Sequence, residues 1–163
     1  MSPARGPILR PVAAAAAAAV FIAVLGGTLT DLGPWYQSLR QPAWKPPDLL
    51  FGPAWTLIYA CCVAAFVIAW RRAGSREARE WLIGLFALNG FLNVGWSLLF
   101  FRLRRPDWAG IEVVALWLSI VGLMIFTARM SRTSALLLLP YLVWVSFAAA
   151  LTWAVAQMNG PFG

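Results

Sequence analysis

The chain has 163 residues, 61% hydrophobic and 12% charged, with a formal net charge of +7, ten Trp and no His, and its mean hydropathy is +0.74. A water-soluble core is excluded, because so few charged side chains cannot cover the surface of so short and apolar a chain, and disorder is excluded by the same composition. Without imidazole, His-ligated haem, His-bound catalytic zinc and Ser-His-Asp chemistry are excluded as well.

A membrane-spanning helix needs about 20 mainly apolar residues, and charged residues cut this chain into five such runs. The first, 12–30, follows Arg5 and Arg10 and opens on the alanines 13–19, which resembles a signal peptide; its length favours a retained span. Segment 31–50 is a long irregular loop holding Pro34, Pro42, Pro46 and Pro47 among Trp35, Tyr36 and Trp44. Proline fixes φ and extends the residue before it, so the segment is stiff, and long stiff loops in compact domains tend to be lids or binding elements. Its aromatic residues fit either a flap over the bundle end or a belt at the headgroups. The remaining runs are 51–70, 81–101, 109–128 and 135–157. They are continuously apolar, which excludes a β-barrel. The prediction is an all-α membrane protein: a single domain over 1–163, a five-transmembrane-helix bundle with a Pro/Trp-rich lid loop between helices 1 and 2.

Loop charge sets the orientation. Arg5, Arg10, Arg71, Arg72, Arg76, Arg79, Arg129 and Arg132 fall on one side, and Arg40, Lys45, Arg102, Arg104 and Arg105 on the other, eight against five. The N-terminus is therefore expected to be cytoplasmic. The sequence pI of about 10.8 does not point to nucleic acid, because the basic residues flank helices without forming one patch; topology and lipid headgroups account for them.

Trp70, Trp81, Trp108 and Trp153 suit interfacial positions, whereas Trp55, Trp96, Trp117 and Trp144 lie inside their runs and need an interior. Trp55 and Tyr59 share a face with Phe51; Asn89, Asn93 and Trp96 share another, and Tyr141, Trp144, Ala148 and Leu151 a third. Two asparagines at this depth must turn inward, where they either glue helices together or meet a ligand. Together these groups describe an apolar cavity with a few polar handles. Glu112, about 6 Å into its helix from Trp108, is expected to pair with Arg104 or Arg105 and not to relay protons. Cys61 and Cys62 are adjacent in mid-helix and read as packing residues. Ala60/Ala64 and Ala23/Gly27 are weak helix-association signals.

Four strings carry a resemblance. They are Trp35-Tyr36-x-x-Leu39-x-x-Pro42-x-Trp44-x-Pro46-Pro47, Phe51-Gly52-Pro53-x-Trp55-Thr56-x-x-Tyr59, Leu92-Asn93-x-x-Trp96-Ser97-x-x-Phe100-Phe101 and Leu139-Pro140-Tyr141-Leu142-x-Trp144-x-x-Phe147-Ala148. In this order, with Gly26-Gly27 and Glu112, the chain resembles the tryptophan-rich sensory protein/translocator protein (TspO/MBR, peripheral-type benzodiazepine receptor-like) family. The resemblance implies five membrane helices, often a homodimer, and a ligand cavity beneath the first loop. It also implies binding of a porphyrin such as protoporphyrin IX, of synthetic benzodiazepine-site ligands and, in many members, of sterols, with no resident cofactor or metal. Carried over by position, the site comprises Trp35 and Trp44 from the lid, and Phe51, Trp55 and Tyr59 from the second helix. Asn89, Asn93 and Trp96 come from the third, and Trp144, Phe147, Ala148 and Leu151 from the fifth.

Three functional classes follow from the resemblance: a tetrapyrrole sensor, a light-dependent porphyrin-degrading enzyme working through Trp55 and Trp144, and a transporter of tetrapyrroles or lipids. The sequence offers neither an acid–base pair for the second nor a coupling-ion site for the third, so a binding protein is the leading expectation. Thr152 stands where the family usually has Asn, and Asn89 where Gln is common. The sterol pattern of the fifth helix is missing; a formal match at Leu32, Tyr36 and Arg40 falls in the loop.

Overall fold

Five helices long and apolar enough to cross a membrane make up most of the computed structural model, which describes residues 9–162. Arg5 and the extreme ends of the expected domain lie outside those residues. The described residues are all helix, turn and loop, as the apolar runs require where no water can satisfy the backbone.

The alanine-rich α1 (Leu9–Leu29) ends where the Thr30 hydroxyl and amide both bond the Gly26 carbonyl, at 2.8 and 3.0 Å. The loop that follows contains a short helix, α2 (Pro34–Ser38), with proline in its first turn, and a 3-10 turn (Asp48–Leu50) that leads into α3 (Phe51–Arg72). α4 (Arg76–Ser97) starts well before the predicted Trp81, because the Ser75 hydroxyl accepts the Ala78 amide at 3.0 Å. The apolar run begins only once the helix has left the charged surface.

A π turn (Leu98–Arg102) closes α4 and turns both Phe100 and Phe101 inward. The extra residue per turn lets two consecutive aromatic side chains face the core, which a regular helix would separate. Arg104, at φ 53°, then reverses the chain in the left-handed region. α5 (Pro106–Ala128) follows, with proline in its first turn. The fifth predicted run is divided: Ser131 caps the short α6 (Arg132–Leu137), and α7 (Leu139–Asn159) begins at a break around Pro140.

α5 is the central helix. Its Ala109, Val113, Leu116, Ile120 and Leu123 are buried in a stripe at helical spacing against α4, α6 and α7. α1 buries no residue and rests on α3 and α4. Apolar side chains on the outer faces, such as Phe21, Ile111 and Val143, suit a hydrocarbon solvent and need no cover. Three layers stack along the bundle: Leu39, Phe100, Phe101, Ala109 and Val155 at the lid end, Ile58, Val113, Leu116, Ile120, Tyr141 and Val145 in the middle, and Ala65, Leu123 and Leu138 at the far end.

Candidate functional site

Each expected site residue sits in the lid-side half or the middle of the bundle, and most are in contact with one another. From the lid, Trp44 meets Phe147 of α7 edge-on, ring centres 5.7 Å apart, and Trp35 meets Phe100 at 6.1 Å. Phe51 packs edge-on against Trp144 at 5.4 Å, and Trp144 against Phe147 at 5.8 Å. Trp55 stacks on Tyr59 at 5.5 Å and touches the Tyr141 ring at 6.0 Å. Trp96 stacks on Phe100 at 5.3 Å, and Leu151 packs against the same lid-end layer. Ala148 is half-buried, and its carbonyl accepts the Thr152 hydroxyl at 2.8 Å. Thr152 thus spends its polar group within its own helix.

The two asparagines turn inward as predicted, and they meet other helices. The Tyr59 hydroxyl donates to Asn93 Oδ1 at 3.1 Å, and Asn93 Nδ2 donates to the Tyr141 hydroxyl at 3.1 Å. Tyr141 in turn donates to Asn89 Oδ1 at 3.1 Å, and Asn89 Nδ2 donates to Ser119 Oγ at 2.8 Å. Ser119 closes the chain on the Leu116 carbonyl at 2.7 Å. One continuous run of hydrogen bonds therefore ties α3, α4, α5 and α7 together at mid-depth. Tyr141, its hub, is absent from the sequence-derived site; its position one turn before Trp144 was the available signal.

The lid is fastened at several points. Asn159 at the end of α7 pairs with the lid backbone in both directions: its Oδ1 accepts the Arg40 amide at 2.7 Å, and its Nδ2 donates to the Arg40 carbonyl at 2.9 Å. Leu39 and Pro42 are buried beside this latch. Within the lid, Asp48 Oδ1 accepts from Lys45 Nζ at 2.6 Å and from the Tyr36 hydroxyl at 3.1 Å, while Lys45 lies over the Tyr36 ring. Burial raises the Tyr36 pKa above the ordinary tyrosine value. Burial alone would lower Lys45, but bonding to Asp48 and Tyr36 outweighs it and leaves the ammonium raised. The loop match to a sterol pattern is thus engaged internally through Tyr36 and the Arg40 backbone.

The expected ion pair of Glu112 is not formed. Asp107 stands nearer to Arg105 and holds it with both carboxylate oxygens, the Nε contact at 2.8 Å, and Arg104 lies over the Trp35 ring at 5.7 Å. Both Glu112 oxygens are buried with no hydrogen-bond partner among the described residues, as are Trp96 Nε1 and Gln41 Nε2. Of the tryptophans expected at the interface, Trp81, Trp108 and Trp153 are about half exposed, Trp153 also donates to the Gly110 carbonyl at 2.6 Å, and Trp70 is partly buried between Phe66 and Arg79. Inside the runs, Trp55, Trp96, Trp117 and Trp144 all pack on the middle layer. Cys61 and Cys62 are free thiols, and no cluster of potential metal ligands occurs among the described residues.

A surface depression of about 560 Å³ lies outside this region, on the outer face between α5 and α7 at Gly110, Ile111, Val114 and Trp153. Beneath the lid, the aromatic side chains lie in contact with one another. A flat ligand there would have to part the Trp44–Phe147 and Phe51–Trp144 contacts, and the lid would have to yield.

Comparison with known proteins gives one consistent answer. The sequence model of the TspO/MBR family matches residues 13–158. A tryptophan-rich protein TspO of Chlorobaculum tepidum is 38% identical over 125 residues, covering 77% of this chain and 79% of that protein. Another of that name from Archaeoglobus fulgidus is 36% identical over 132 residues, covering 81% and 84%. The translocator protein of Ovis aries is 34% identical over 127 residues, covering 77% and 75%.

Proposed function

Because the chain belongs to the TspO/MBR family of membrane proteins, we propose that it is a tetrapyrrole-binding sensory or regulatory protein whose site is the aromatic layer beneath the first loop. The observation that carries this reading is the meeting of Trp44, Phe51, Trp144 and Phe147, from three separate elements, in two edge-on contacts and one tilted one. Such rings offer faces and edges to a planar macrocycle by stacking and dispersion. Trp55, stacked on Tyr59 just below, extends the aromatic wall. The Asn89, Asn93 and Tyr141 network fixes the floor, so a ligand meets a preorganised surface on that side.

Titrating purified protein with protoporphyrin IX while following tryptophan fluorescence tests the reading. Saturable quenching is expected, weakened about tenfold or more when Trp55→Phe and Trp144→Phe are combined, since each indole supplies a large contact area. Absence of quenching in the wild type, or quenching indifferent to both substitutions, removes the proposal. Illuminating the same titration separates binding from turnover: loss of porphyrin absorbance in light only would add the degrading activity, which Trp55 favours by lying against two tyrosine rings. The same proposal includes a cytoplasmic N-terminus, from the arginine asymmetry, and a homodimer, from the resemblance.

A further inference from the structure

The end of the bundle opposite the lid carries a surface depression of about 480 Å³ in the elbow between α3 and α4. Arg76, Arg79, Glu80 and Ile83 line it from α4, and their spacing of i, i+3, i+4 and i+7 makes them one stripe of that helix. Trp70, near the end of α3, lines it from across the elbow. Its indole is fixed by stacking on Phe66 at 5.7 Å, and Phe66 meets Phe86 of α4 edge-on at 5.3 Å. The Arg79 guanidinium lies over this fixed indole, its Cζ 5.2 Å from the ring centre. Stacking uses the face of a guanidinium and leaves the N–H groups on its edge free. Glu80, the carboxylate in the same stripe, is held by Arg76 at 2.7 Å, whereas Arg79 has no ion pair among the described residues. The mouth of the depression therefore keeps an uncompensated cation. Ile83 is half exposed and lies about 10 Å further along α4 than Arg76, inside the apolar run.

We propose that this elbow is a binding site for one anionic phospholipid, its phosphate held by Arg79 and Arg76 and one acyl chain lying along Ile83. The inference needs no ligand beneath the lid. The depression runs from charge, past an aromatic wall, to an apolar floor, which is the order of phosphate, glycerol and acyl chain in a lipid standing in its leaflet. A planar guanidinium offers two parallel N–H groups to two phosphate oxygens, and the Trp70 ring holds that of Arg79 ready for them. Among the described residues this end sets seven arginines, the group assigned from the sequence without Arg5, against Glu77 and Glu80, so the surrounding potential favours an anion. A choline headgroup has the same phosphate, but its ammonium brings a second positive charge among those arginines. A second copy of the chain meeting this face would bring its own arginines and be repelled.

The experiment adds phosphatidylglycerol or phosphatidylcholine of equal chain length to the full chain in detergent micelles and reads dissociation constants from the lipid adducts in native mass spectrometry. The wild type is expected to bind phosphatidylglycerol about tenfold more tightly, the size of one charge-assisted hydrogen bond. Arg79→Gln should bring that preference within about threefold, and Arg79→Lys, which keeps the charge but loses the fork, should fall between the two. Arg129→Gln removes the same charge from the same end outside the depression and should leave the preference unchanged. Arg79 is exposed, so its variants are expected to keep the wild-type helical circular dichroism; should Arg79→Gln fail to fold, Arg79→Lys carries the comparison with Arg129→Gln. Equal affinity for the two lipids in the wild type, or equal losses in the Arg79 and Arg129 variants, overturns the site in favour of diffuse surface charge. Displacement of phosphatidylglycerol by millimolar inorganic phosphate would assign the depression to the free anion and overturn the lipid. Dissociation of a dimer in Arg79→Gln would assign the face to a second copy and overturn it as well.

Discussion

In the middle of the bundle, Tyr141 sits between Asn89 and Asn93, and every amide group of the two asparagines has a partner on another helix. Eight residues further along α7, Ala149 gives way to the lid-end half, where the Glu112 carboxyl, Trp96 Nε1 and Gln41 Nε2 are buried without partners among the described residues and Asn159 latches the covering loop. Both regions are aromatic, and both place polar groups in an apolar interior. The middle uses its polar groups to fix four helices relative to one another, while the lid end leaves its own available. A site that must open and take up a ligand is better built on the second pattern, supported by the first.

The largest effect should come from breaking the middle. Tyr141→Phe keeps the ring against Trp55 and removes the hydroxyl, leaving Asn93 Nδ2 without an acceptor and Asn89 Oδ1 without a donor. The expected cost is about 1–3 kcal/mol of stability, towards the lower end in a bilayer where the unfolded reference also finds partners. Denaturation in mixed micelles measures it. Amide exchange in the lid should stay near wild type, and a variant that loosens the lid as much as the bundle would erase the contrast between the two regions.

A smaller effect on stability, with a larger local one, is expected from Asn159→Ala. It removes both hydrogen bonds to the Arg40 backbone and the return bond to the Val155 carbonyl. Global stability should fall by about 1 kcal/mol, while the Arg40 amide exchanges faster and the remaining lid amides follow. Porphyrin association should accelerate if lid opening limits it. Exchange in the lid indistinguishable from wild type would show that Leu39, Pro42 and the Trp35 contacts hold the loop without the latch.

What could be read from the sequence follows a physical divide. The five spans were legible because hydrocarbon thickness imposes length and apolarity on each helix separately. The start of α4 at Arg76 was not, since it depends on one Ser75 hydroxyl outside the apolar run. Helical spacing showed that Asn89 and Asn93 share an inward face, but their partners Tyr141 and Ser119 lie on other helices and only the packing reveals them. Proximity in sequence suggested Arg105 for Glu112; Asp107 is nearer still and takes it. Gln41 belongs to no motif or spacing in the sequence. Its burial depends on a pairing between positions 40 and 159, which no local pattern announces.

The smallest expected effect is the response of the lid to alkaline pH, and it separates the two regions by charge. Tyr36 and Lys45 both have raised pKa values relative to ordinary values of 10.0 and 10.5. For each, the folded state holds its proton more tightly than the unfolded state. Their contribution is therefore fully present below those ordinary values and is lost as pH rises through the raised ones. Deprotonation of Lys45 removes the charge that Asp48 accepts from at 2.6 Å, and ionised Tyr36 would face that same carboxylate. Above about pH 10, acrylamide should quench Trp35 and Trp44 more strongly while helical circular dichroism is unchanged, because the mid-bundle network joins neutral groups in the apolar interior, where charge is costly, and carries neither lysine nor carboxylate. Lys45→Met should flatten the profile at the cost of a lid already looser at neutral pH. Quenching that stays flat from pH 8 to about 11 would place the lid's strength in its aromatic contacts and latch alone.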